Sequence, residues 1–173
     1  VVIGQSGDAM SGTFAVGKRL FKLEPRADGS HVISEVSPSD PAPELDPIPV
    51  ADTAGTGTTS GDTAVAADGA PTIDVLVAYT PRVASIYGTA GAESLVIQAV
   101  AETNQAYANS GITARLNLVQ AVQTNYVESG NMSTDLSRLR ATNDGYMDEL
   151  HSLRDSTGAD LVSLFEDEPA YCG

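Results

Sequence analysis

Apolar and polar positions fall into two regimes along this chain, separated by a stretch that follows neither. Over the first three dozen residues the runs are short: "TFAV", "RLFKLEP" and "HVISEV", with "GK" and "ADGS" between them. Brief β-prone runs split by turn chemistry predict a small antiparallel meander of three to five strands, with Asp28-Gly29 as a hairpin turn. So few residues bury too little surface to stand alone, so this meander should lean on the rest of the chain. Beyond residue 71 the runs lengthen. "TIDVLVAYTP" is almost continuously apolar from Ile73 to Tyr79, broken only by Asp74 and ended by Pro81, the pattern of a strand covered on both faces. From Ala92 to Asn109, the positions Leu95, Val96, Ala99, Val100 and Tyr107 form a helical stripe, and Gly111 supplies its stop. "ITARLNLVQAVQTNY" sets Ile112, Ala114, Leu116 and Leu118 on one face of a strand. "STDLSRLRAT" and "DGYMDELHSLRD" predict two short helices capped by Ser133 and Asp144, and "GADLVSLF" a last buried strand. This β-α-β-α-β order with helical crossovers predicts an α/β unit with a mostly parallel sheet.

The stretch between the regimes, "PSDPAPELDPIPVADTAGTGTTSGDTAVAADGAP" (38–71), is rich in Pro, Gly, Ala, Thr and Asp and poor in large apolar side chains. It cannot bury enough surface to offset its ordering entropy and is expected to be a linker, semi-extended to about Pro49 and flexible beyond. The chain therefore divides into a β-rich part (1–49), a disordered acidic linker (50–71) and an α/β part (72–173).

Charge sharpens this division. With 9 Lys and Arg against 23 Asp and Glu, the net charge is −14, which argues against nucleic acid or an anionic membrane as a partner. No Lys or Arg occurs between Arg26 and Arg82, whereas nine carboxylates fall there, from Asp28 to Asp74. No apolar run approaches the length of a bilayer span. The first residue is Val1, as expected where a leader has been removed, and an acidic chain with little Lys and no Trp suits an exported bacterial protein.

Candidate chemistry is sparse. His31 and His151 lie in different halves, form no paired metal motif, and are expected to be structural. Asp74 interrupts a buried strand, so it needs a partner, a metal or a place at the strand's wet end; Asp160 opens one and is expected to cap or face solvent, with a calcium or salt-bridge role as the alternative. "FEDEP" (165–169) gathers three acids in what is expected to be a solvated loop. No nucleophile elbow or phosphate-cradling loop occurs. Cys172, the single cysteine, has acidic neighbours that raise a thiol's pKa, so it is expected to be half of a disulfide rather than a nucleophile.

Taken in order, "IDVLVAYTP", "NQAYANSGI", "ARLNLV", "YVESG", "DLSRL", "GYMDELHSLRDSTGADLVSLF" and "YCG" resemble the first half of the catalytic domain of reprolysin-like zinc metalloendopeptidases of the metzincin clan. Within that clan the likeness is to the bacterial peptidyl-Asp metalloendopeptidase group. It runs from about Thr72 to Gly173, and residues 1–49 resemble the group's prosegment more faintly, chiefly through "HVISEV". The resemblance implies a twisted sheet and an active-site helix carrying His-Glu-x-x-His-x-x-Gly-x-x-His, whose histidines hold zinc and whose glutamate serves as general base, with a Met-turn beneath. No such motif occurs up to Gly173, so the Zn2+ ligands are expected downstream and no catalytic residue falls in this chain; His151 is not a ligand. It further implies that Cys172 bonds a later cysteine, and that Cys172 and Gly173 begin the cleft-edge strand along which an extended peptide substrate adds. With no cysteine in residues 1–71 a cysteine switch is excluded, leaving a carboxylate on zinc or steric cover for latency.

The expectation is a secreted or periplasmic bacterial zinc endopeptidase in zymogen form, acting on peptide or protein substrates. This portion should be inactive without the carboxy-terminal half of the catalytic domain, and should present a bare sheet edge. An enzyme that prefers bonds beside acidic residues would find such bonds in its own linker. The alternative is a non-catalytic secreted binding module that keeps the fold and takes calcium through Asp74 or Asp160.

Overall fold

Four short strands open the chain: β1 (Val2–Ser6), β2 (Ala9–Val16), β3 (Arg19–Pro25) and β4 (His31–Val36), each antiparallel to the next. A computed structural model describes residues 1–37 and 71–167. The linker and the "YCG" segment thus lie outside the described residues. The Asp28-Gly29 turn forms as expected. Gly29 takes a positive φ of 83°, and the Asp28 carboxylate accepts from the Ser30 amide at 2.9 Å.

Residues 71–167 form β5 (Thr72–Tyr79), α1 (Pro81–Tyr87), α2 (Thr89–Asn109), β6 (Arg115–Gln123), α3 (Met132–Arg140), α4 (Asp148–Thr157) and β7 (Leu161–Phe165). Their three strands run parallel in the order β6-β5-β7, so the first strand made is the central one. The coarse α/β expectation holds. Its first connection differs: Pro81 does not simply end the strand but occupies the first turn of α1, behind Thr80 as N-cap, a position where its missing N–H costs nothing. The caps of the later helices also differ. Asn131, not Ser133, accepts the Thr134 amide at the start of α3. Met147, in a left-handed conformation, precedes α4, while Asp144 serves only the Tyr146 amide two residues on.

Alternation along β5 sorts the core into two layers. Val75, Val77 and Tyr79 face α1 and α2, where they join Val96, Val83 and Ala92. Ala78 faces the opposite way and packs with Tyr126, Met147 and Leu150 of the α3–α4 side. In β6 the alternation is interrupted. Val75 pairs with Leu118 but Leu76 with Gln120, so Val119 is an extra residue. Leu118 before this bulge and Ala121 after it consequently line the same α2-facing core. The expected one-face set therefore holds for Leu116 and Leu118, whereas Ile112 lies before the strand and is exposed.

The α2 helix stands between the two sheets. Its apolar stripe covers β5 and β6, while Gly91, Ser94 and Gln98 on its other side are buried. An ideal Cβ built on Gly4 of β1 would lie 2.0 Å from the Ser94 carbonyl oxygen, so only glycine allows this approach. Toward its carboxy-terminal end the Asn104 side chain acts as an extra backbone pair for β6. It donates to the Leu116 carbonyl at 2.9 Å and accepts from the Leu116 amide at 2.8 Å. Replacing Asn104 by Leu should orphan both groups and cost about 1–2 kcal/mol, measured by urea denaturation, with amide exchange accelerated first at the start of β6.

Candidate functional site

The carboxyl ends of β5 and β7, where ligands of open parallel sheets commonly bind, carry a network of acids. Thr80 leaves β5 by donating its amide to the Phe165 carbonyl of β7 at 3.2 Å. Its hydroxyl accepts from the Val83 amide at 3.3 Å and donates to the Glu128 carboxylate, joining the α1 cap to the loop after β6. The same Glu128 oxygen accepts from the Asp167 amide at 3.0 Å. Asp167 in turn accepts from Arg82 Nε at 2.9 Å. Arg82 is largely exposed, so this ion pair contributes little to stability. The network instead fixes where the chain leaves β7 on its way to residues 168–173.

Behind this rim lies a buried acid. Asp135, 1% exposed on α3, accepts from the Tyr126 hydroxyl and, at 3.2 Å, from the Ser129 amide. Glu166 at the end of β7 is a further hydrogen-bond partner. Burial pushes the Asp135 pKa up, but the bonds from Ser129 and Tyr126 outweigh it and hold the carboxyl below its ordinary value. Tyr126 is shifted upward by burial and by the same carboxylate. Arg138 donates to the Tyr126 oxygen at 2.9 Å and lies 4.1 Å above the Tyr146 ring. No pattern in the sequence announces this cluster: Tyr126, Asp135 and Glu166 lie on different elements, and Asp135 falls in a helix with an ordinary polar face.

Asp74 and Asp160 meet each other, at the opposite end of the sheet. The Asp160 carboxylate accepts from the Asp74 amide at 2.8 Å, and the Asp160 amide donates to the Asp74 carbonyl, also at 2.8 Å. The Asp74 side chain accepts from Asn117 Nδ2 at 2.8 Å. Both acids thereby tie strand starts together. The histidines remain apart: His31 Nε2 accepts from the Met10 amide at 3.0 Å, and His151 Nε2 meets the Ala141 carbonyl at 2.7 Å. Among the described residues no three His, Cys, Asp or Glu side chains are grouped to hold a metal ion, so the described residues fit neither zinc nor calcium. Cys172 and Gly173, assigned to the cleft edge by resemblance, lie outside the described residues.

The described residues thus form a three-stranded parallel sheet with helices on both faces and a network of acids at its carboxyl rim. The family model described as Metallo-peptidase family M12B, Reprolysin-like, matches residues 70–172, and the chain belongs to that family. Two relatives are similar over almost its whole length. A Peptidyl-Asp metalloendopeptidase of Xanthomonas campestris pv. campestris is 39% identical over 177 residues, covering 99% of this chain and 42% of the relative. Another of the same name, from Stenotrophomonas maltophilia strain K279a, is 42% identical over 181 residues, covering 100% of this chain and 42% of the relative. The chain thus spans about two fifths of the relatives it matches. No solved structure matches it.

Proposed function

We propose that this chain is the amino-terminal portion of a zinc-dependent endopeptidase, secreted or periplasmic and made as a zymogen. Residues 1–49 serve as prosegment, and the zinc ligands and general base lie downstream of Gly173. The identity of about two fifths to peptidyl-Asp metalloendopeptidases carries this reading, because it spans the small sheet, the linker and the α/β unit together. A groove of about 350 Å3 supports it. Its walls include Val77, Val96, Val100, Tyr107, Leu161 and Phe165, between α2 and the β5–β7 face. Among the described residues Leu161 is half exposed and β7 has a second edge without a partner strand, which further elements of the catalytic domain would cover. What this portion contributes is positional: it supplies the sheet and fixes the chain's exit from β7 through Glu128 and Thr80.

Substrates on this reading are peptides or proteins cut beside aspartate, and the linker, with Asp52, Asp62 and Asp68, is one of them. The test uses the protein extended through its downstream half. Chelation should abolish cleavage of an Asp-containing peptide, zinc should restore it, and the processed amino terminus should fall within residues 50–72. The 173-residue chain alone should cleave nothing. Chelator-insensitive cleavage would overturn the metallopeptidase reading, and a processed terminus far from 50–72 would overturn self-cleavage of the linker.

A further inference from the structure

We infer that the outer side of α2 is a binding site for residues 1–37 in its own right, and that the small sheet stays on it as a separate polypeptide once the chain is cut between the two sheets. The contact is laid down entirely by described residues on either side of that connection. Ser6 Oγ donates to Glu93 Oε2 at 2.6 Å, and Thr13 Oγ1 donates to Glu102 Oε1 at 2.5 Å. Gln98 Nε2 donates to that same Glu102 oxygen at 2.9 Å and so holds it in place. Just before α2, at the end of α1, the Ala27 amide donates to the Ile86 carbonyl at 3.1 Å and the Arg26 guanidinium lies 5.8 Å above the Tyr87 ring, adding to the hold on α2. Between these anchors the Gly4 backbone sits against Ser94 and Gln98 without a side chain in the way.

Among the described residues no strand is shared between the two sheets, so cutting the connection breaks none of these ladders. What it removes is the effective concentration of a tether, of millimolar order for a flexible linker. Residues 1–37 are too few to keep a fold of their own, so leaving α2 means unfolding as well as dissociating, which slows the departure. Opposing this, Ser11 Oγ and Gln98 Oε1 are buried in the contact without partners. These make the contact weaker than the apolar core on the other side of α2. The site is therefore a docking surface of small and polar groups that keeps its sheet under native conditions. This holds whichever protease makes the cut, and it does not depend on the peptidase reading.

The experiment places a recognition sequence for an exogenous protease within residues 54–60 of the 173-residue chain and cuts it to completion. At about 10 µM, well below the concentration a tether provides, native mass spectrometry and size exclusion should find both pieces in one particle. They should separate only in denaturant. Separation of the wild-type pieces under native conditions overturns the inference. In the cut chain Gly4→Leu should speed separation about tenfold or more, because its side chain collides with α2 backbone. Ile33→Ser, on an exposed position of β4 in the row paired through Leu23 to Gly12 and away from Gly4, should leave retention unchanged. If Gly4→Leu fails to fold uncut, the double variant Ser6→Ala and Thr13→Ala, which adds no bulk, takes its place. Unchanged retention in that double variant, with loss in Ile33→Ser, would place the contact elsewhere and overturn the assignment of α2.

Discussion

Asp135→Ala is expected to lower stability by about 3 kcal/mol at neutral pH, among the largest effects of any single substitution in the α/β unit. The carboxylate is buried and is held by the Tyr126 hydroxyl and the Ser129 amide. Removing it takes the acceptor from the Ser129 amide and from the buried Tyr126 hydroxyl, leaving only Arg138 against the phenol oxygen. Equilibrium denaturation of both proteins gives the difference directly. Its pH dependence tells an ionic role from mere packing. Because the folded pKa of Asp135 is depressed, its contribution is complete above the ordinary aspartate value near 3.9 and is lost as pH falls through the folded value. The stabilities of the parent and of Asp135→Asn should therefore differ above about pH 4 and converge in stronger acid. A difference that persists unchanged to low pH would assign Asp135 a packing role instead.

The second large effect is expected at Leu76. This residue is 0% exposed at the middle of the central strand, between β6 and β7. Alternation puts it on the Ala78 face, toward α3 and α4. Backbone ladders on both sides prevent the strand from moving in to fill a void, so Leu76→Ala should fall in the upper part of the usual range, about 3–5 kcal/mol. Leu161→Ala on β7, half exposed, is the matched control and should cost less than about 1 kcal/mol. Comparable losses at the two positions would mean that β7's outer side is covered in solution.

How much of this was legible beforehand differs by element. Long apolar runs such as Ile73–Tyr79 and the stripe through Leu95, Val96 and Val100 announced β5 and α2, because burial on two faces or on one stripe leaves a pattern in sequence. The bulge at Val119 left none, since an extra residue is visible only against the partner strand. Thr80-Pro81 contained the signal for α1, a capping hydroxyl followed by a proline, but the same proline also reads as a strand stop. The cap of α3 could have been found at Asn131; Ser133 competed for it with a similar side chain. Among the acids, Asp74 stands out because it interrupts an apolar run and Asp160 because it opens one, and they prove to join two strand starts. Asp135 drew none, although it is the most deeply placed of them, because burial by Tyr126 and the end of β7 is decided by tertiary contacts alone.

The central position of β5 also sets the order in which the molecule can assemble. Its links to β6 and β7 close over long separations, 43 residues between Asp74 and Asn117 and 86 between Asp74 and Asp160. The four strands of the small sheet, by contrast, pair with immediate neighbours through tight turns. Local hairpins form in microseconds, whereas non-local pairing must first close large loops and is slow. On the ribosome the small sheet emerges complete before any of its partners exists, and α2 is the first long element to follow β5. Too small to hold its fold unaided, the amino-terminal sheet gains its support only when α2 appears, so sheet and helix can settle together while β5 waits for the strands on either side of it.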